Sequence, residues 1–290
     1  MLSGALVLFL AVGAIAIDGD VLVRTPKGAI RGTTLISRNG RTIYSFRGIR
    51  YALPPTGERR FKIPLTKEDD LHPVIVLFHP GAWFAGSGQS NLAGPQYLLD
   101  EDVVFVSINQ RLGAFGFLST GDSESPGNYA LKDQQLALQW VRDNAQHFGG
   151  DPNSVTLFGS TSGGASAQYH MLSPQSAGLF HRVIAASGSC LCSWALNKDP
   201  LTLAKRQAAL LDCPHDENTT SKEIMDCIKT KDTAEISKSF RRLRAPVPST
   251  DLWTGVFNAT EDKPSCPQGN DFIDGPISED CLFLNIYTTK

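Results

Sequence analysis

The sequence lacks a charge bias, a second long apolar run, and a histidine placed to act as a general base. Its 27 Lys and Arg are balanced by 29 Asp and Glu, a net charge of −2 over 290 residues, and no basic block interrupts the chain. That balance argues against a nucleic-acid partner. The one long uncharged apolar run is "LSGALVLFLAVGAIA", residues 2–16, which is too short to cross a bilayer comfortably. With no other run of that kind, no transmembrane segment is expected. No motif calls for a metal or a cofactor, so none is assigned.

The short run ends in the small residues Ala14, Ile15 and Ala16, the A-x-A pattern of a signal-peptide cleavage site. A basic n-region is missing apart from the α-amino group, and a buried N-terminal helix is the competing reading. The expectation is a signal peptide over 1–16 and a secreted, extracellular product over 17–290. Two glycosylation sequons agree with that, Asn218 (N-T-T) and Asn258 (N-A-T). So does an even count of six cysteines. Cys213 and Cys227 flank a short polar stretch, and Cys266 and Cys281 flank a loop rich in Gly, Pro and Asp. Pairing each within its own loop closes two short local rings. Cys190 and Cys192 lie one residue apart, which is poor geometry for a mutual bridge. They are left as free thiols or partners of other cysteines.

Alternating apolar and polar residues in "VLVRTPKGAIRGTTLI" and "RTIYSFRGIRYA" predict antiparallel strands. "PVIVLFH" (73–79) and "DVVFVSIN" (102–109) are continuous β-branched runs, as in strands buried on both faces. "LKDQQLALQWVRDNAQHFGG" has helical spacing and a Gly149–Gly150 C-cap. "SVTLFG" is another buried strand, and "ASAQYHMLS" is a helix after it. This order predicts an α/β sheet with a parallel core. A further helical stretch is expected over 199–240, and the final strand lies in "EDCLFLNIYTTK".

Between "SVTLFG" and its helix stands "FGSTSGG", residues 158–164, with the outline of a nucleophile elbow. Gly159 and Gly163 occupy the two positions where only small residues fit. The residue at the apex is Thr161. An oxyanion hole would take the N–H of Ser162 and donors from the loop "HPGAW", which offers Gly81 and Ala82. Threonine can attack where a base activates it, but a β-branched residue at a strained apex is disfavoured, and its methyl crowds an incoming carbonyl. Ser160 and Ser162 point elsewhere on a tight turn. After Thr161 the only histidines are His170, His181 and His215, all read as packing or surface residues.

At these residues the chain resembles the type-B carboxylesterases, the family of cholinesterases, insect juvenile-hormone esterases and the non-catalytic neuroligins. The matching stretches include "GIRYALPPTGERRF", "FHPGAWFAGSGQS", "INQRLGAFGFLSTGD", "GNYALKDQQLALQWVRDNAQHFGGDPNSVTLFGSTSGGAS" and "EDCLFLNIY". The resemblance implies an α/β-hydrolase fold, with a mostly parallel sheet flanked by helices and N-terminal antiparallel strands. It also implies disulfides Cys213–Cys227 and Cys266–Cys281, and small carboxylic esters as substrates.

The departures matter as much. The family elbow usually reads G-E-S-A-G; here it is G-S-T-S-G. The family's catalytic acid and histidine lie in a C-terminal half that has no counterpart here, so the domain is expected to be incomplete. Residues 245–290 resemble a family segment that belongs between Lys62 and Leu65. Thus the expectation is a carboxylesterase-family chain that is catalytically inactive as it stands. Its alternatives are a binding or adhesion protein with a protein partner, and a fragment of a mis-ordered gene with no function of its own.

Overall fold

Alternation and β-branched runs become strands where the sequence places them. The computed structural model describes residues 15–17, 20–25, 28–51, 71–239, 256–258, 266 and 281–288. The apolar segment before Ile15, the join around residues 52–70 and most of 240–280 lie outside the described residues. Four strands open the chain, β1 (Ile15–Ile17), β2 (Asp20–Thr25), β3 (Gly28–Ile36) and β4 (Thr42–Arg50), each antiparallel to the next. Then come β5 (His72–Phe78), β6 (Val104–Ile108), β7 (Gly150–Ser160) and β8 (Arg182–Ala186), all parallel in the order β6-β5-β7-β8. β9 (Val256–Asn258) pairs with β3, and β10 (Phe283–Thr288) completes a ten-stranded sheet.

β10 shows why a strongly apolar strand follows so late in the chain. It lies between β4 and β6, antiparallel to both, and all six of its residues are buried. Among the described residues it is the one hydrogen-bonded link between the antiparallel and parallel parts of the sheet. The register slips opposite β4 between Leu284 and Ile286. Asn285 repairs the slip, accepting from the Gly48 N–H at 2.8 Å and donating to the Gly88 carbonyl at 2.7 Å. The period of two then sorts the core. Val104, Val106 and Ile108 of β6 join the main cluster on one face, while Phe105 meets Tyr287 and Ile43 on the other.

The helices are α1 (Gly113–Phe117), α2 (Tyr129–Asn144), α3 (Ser162–Leu172), α4 (Pro200–Ala209), α5 (Ser221–Ile228) and α6 (Thr233–Ser239). α2 tightens into a last turn that ends on Gly149, left-handed at φ 75° as the glycine pair predicts. A buried Arg111–Asp133 pair ties the loop after β6 to α2, with Arg111 Nε donating to Asp133 at 2.7 Å. The stretch expected to be helical over 199–240 resolves into three short helices. Asp199 caps α4, and a Thr220–Glu223 capping box starts α5. These pack with α1 into a separate apolar cluster that holds the Cys213–Cys227 disulfide. Cys266–Cys281 is also formed, and Cys190 and Cys192 form no disulfide. β8 is short, and its side chains alternate between half-buried and exposed, so no continuous apolar run announces it. No helix among the described residues is long and apolar enough to cross a membrane.

Candidate functional site

Parallel pairing brings the carboxyl ends of three strands to one place. Phe78 of β5 lies opposite Gly159 of β7, and Ser160 lies opposite Ala186 of β8. Thr161 stands at the turn from β7 into α3 with φ 50° and ψ −115°, a conformation that costs a non-glycine residue about 1–3 kcal/mol. Both flanking glycines are required by contact rather than by dihedral angle. A Cβ on Gly159 would lie 2.2 Å from the Gly163 carbonyl, and one on Gly163 would lie 2.1 Å from the Phe78 oxygen. The elbow is therefore a close approach of three backbones.

A fourth backbone segment, absent from the sequence reading, holds the apex. The Thr161 N–H donates to the Ser187 carbonyl, and Ala165 donates to the Thr161 carbonyl at 3.1 Å. Gly188, at φ 135°, leaves only 2.0 Å between an added Cβ and the Thr161 oxygen. The small residues of "SGS" directly after an apolar stretch were the available signal for it.

The glycine loop beside the elbow is strained in turn. Gly81 has φ 127°, and the next two residues, Ala82 (φ 52°) and Trp83 (φ 65°), are left-handed without being glycine. The Gly81 carbonyl accepts from Phe84 and Ala85, both at 3.0 Å, which closes the turn. Trp83 is buried and donates from Nε1 to Ser166 Oγ at 2.9 Å, so the loop is pinned to α3 one turn beyond the elbow. The amides of Gly81 and Ala82 donate to no described residue. The Ser162 amide, first in α3, has no acceptor within its helix. These three N–H groups, with the positive end of the α3 dipole, are of the kind that receives a developing oxyanion.

All six histidines are described, and none bonds to Thr161. The Thr161 side chain is exposed, and its hydroxyl bonds to no described residue. His170 is buried between Ser176 Oγ at 2.8 Å and Gln134 Oε1 at 3.0 Å; burial pushes its pKa down to about 4. His181 Nδ1 accepts from the Val155 N–H at 3.2 Å, and His215 Nδ1 bonds to the Cys213 carbonyl at 2.9 Å. His79, at the end of β5, is buried with Nδ1 against the Pro80 carbonyl at 2.8 Å, and burial lowers its pKa. The apex's neighbour Ser162 is buried, and its hydroxyl has no hydrogen-bond partner among the described residues. Asn218 lies in an exposed loop, whereas Asn258 lies in β9.

A parallel sheet, an elbow at its carboxyl edge and a glycine loop alongside define an α/β hydrolase. Residues 19–69, 63–242 and 240–290 each match the carboxylesterase family. The chain is 36% identical over 265 residues to a juvenile hormone esterase of Tribolium castaneum, covering 75% of this chain and 45% of that protein. Esterase FE4 of Myzus persicae is 39% identical over 267 residues, covering 75% and 46%. A carboxylic ester hydrolase of Bombus ignitus is 38% identical over 266 residues, covering 75% and 47%. The chain belongs to the carboxylesterase family. It spans about half the length of the curated relatives it matches.

Proposed function

We propose that this chain carries the carboxylesterase scaffold without ester hydrolysis. One observation carries the reading: Thr161 sits exposed at a strained apex, with no described base bonded to its hydroxyl. Acyl transfer needs that proton removed as Oγ1 attacks the carbonyl, and none of the six histidines bonds to that hydroxyl. The threonine methyl further narrows the approach. Were hydrolysis restored, the substrates would be small carboxylic esters, as the names of the relatives suggest.

A chromogenic short-chain ester, p-nitrophenyl butyrate, tests this with the native chain and with Thr161→Ser and Thr161→Ala. The expected result is hydrolysis at the buffer rate for all three, since a serine gains no base from this surround. Turnover above buffer that disappears in Thr161→Ala overturns the proposal.

On this reading residues 1–16 are a signal peptide, whose loss takes Ile15 and Ala16 of β1 with it; the secreted product is a single incomplete carboxylesterase-type domain over 17–290, glycosylated at Asn218 and Asn258. Residues 245–290 are a displaced family segment. Three separate family matches support that displacement, as does the place of β10 beside β4. Reading the cDNA from signal peptide to stop codon tests the order directly. The kept elbow glycines also suit a binding or adhesion role, since a fold outlives its chemistry. A full-length cDNA that still encodes threonine at 161 favours that role; serine there removes its support. A transcript with this same order and length favours the third reading, a fragment with no function of its own.

A further inference from the structure

Beside α3, where Trp83 is anchored, lies a partly open cavity of about 290 Å³. That volume lies just under the roughly 300–1,000 Å³ typical of ligand pockets. It does not include Thr161. Tyr169, in its wall, is eight residues beyond the elbow, about 12 Å along the helix.

The wall has a consistent chemistry. Trp83 meets Phe117 at 5.4 Å and Tyr169 at 6.3 Å between ring centroids, forming an aromatic side. Leu131 of α2, Leu203 of α4 and Leu196 of the intervening loop supply aliphatic contacts. No charged side chain lines it among the described residues. A carboxylate or ammonium group entering it would lose its hydration without a counter-charge.

The polar groups of the wall are mostly spent. Ser119 Oγ donates to Ser125 and accepts from Gly121, Tyr169 Oη donates to Ala195, and the Asn197 carboxamide closes a turn with Asp199. Asn128 is different. It begins α2 in a left-handed conformation, φ 58° and ψ 29°, and its carboxamide bonds to no described residue. It lines the cavity and is exposed, with one donor pair and one acceptor free.

We propose that this cavity binds a small uncharged molecule with a hydrocarbon body and one hydroxyl, an aliphatic alcohol of medium chain length. The chain packs among the rings and leucines, and the hydroxyl meets the Asn128 carboxamide. Because Trp83 forms the wall and its backbone belongs to the strained loop of Gly81 and Ala82, an occupant steadies that loop. This inference does not depend on the reactivity of Thr161.

Calorimetric titration of the full chain with 1-octanol and, separately, with octanoate is the test. The alcohol is expected to bind at least tenfold more tightly than the carboxylate. Leu203→Trp, which fills the cavity, should abolish the heat of binding. Asn128→Ala, at an exposed position, should weaken binding by about threefold to tenfold, the range of one hydrogen bond. Amide exchange at residues 82–84 should slow when octanol is added. No heat with octanol, equal binding of the two ligands, or binding unchanged in both variants overturns the assignment.

Discussion

Replacing Gly163 with alanine sets two physical effects against each other with opposite signs. Gly163 lies in the first turn of α3, where alanine is the better helix former by about 1 kcal/mol. If local propensity decided the matter, Gly163→Ala would stabilise the protein. The structure says otherwise, because the new Cβ would lie 2.1 Å from the Phe78 oxygen, 2.9 Å from its carbon and 3.1 Å from the His79 oxygen. All three are backbone atoms at the end of β5, a strand paired on both sides. No side chain can swing away, so either β5 or α3 must shift. Overpacking of this kind costs about 1–3 kcal/mol where neighbours can yield. Here the cost is expected at or above about 3 kcal/mol, net of the helical gain. At about 2–4 °C per kcal/mol, Tm should fall by roughly 6–12 °C. Gly178→Ala is the matched control. Gly178 has φ 74° but nothing within 4 Å of its Cβ, so it pays only the left-handed penalty of about 1–2 kcal/mol. Thermal scans of the three proteins, read by tryptophan fluorescence, give the comparison. A Gly163→Ala protein as stable as the native chain, or no less stable than Gly178→Ala, would refute the claim that contact selects this glycine.

Three further outcomes are expected. Ser162→Ala removes a buried hydroxyl with no partner among the described residues and should stabilise by about 1–3 kcal/mol in urea denaturation; a loss of stability would show that the hydroxyl is satisfied. His170 has its pKa lowered from 6.5 to about 4, so the unfolded chain binds more protons between those values. Its contribution is therefore complete above pH 6.5 and declines by about 3 kcal/mol as pH falls to 4, and a His170→Gln protein should have a flatter stability profile over that window. Ile184 is 51% exposed on β8, which pairs only with β7 among the described residues. Ile184→Lys should raise the soluble, monomeric fraction on size-exclusion chromatography, and an unchanged fraction would count against an edge-driven association.

Much of this protein is determined locally and can be read from its residues. The alternating runs become β2 to β4, the β-branched runs become β5 to β7, and Gly149 ends α2, because period and dihedral freedom belong to neighbouring residues. The two disulfides follow from short loops in the same way. Gly159 and Gly163 were legible as an elbow, yet why they must be glycine was not, since the atoms they avoid belong to each other and to β5. Contacts between segments distant in sequence decided the rest. Ser187 and Gly188 hold the Thr161 backbone, β8 pairs with β7 without a telling run, and His170 is locked between Gln134 and Ser176. Tertiary structure also placed β10 between two strands that precede it by more than a hundred residues. Sequence order sets which residues are neighbours along the chain, whereas backbone hydrogen bonding chooses neighbours across the sheet. An exposed threonine at the apex, with its hydroxyl bonded to no described residue, is the product of both.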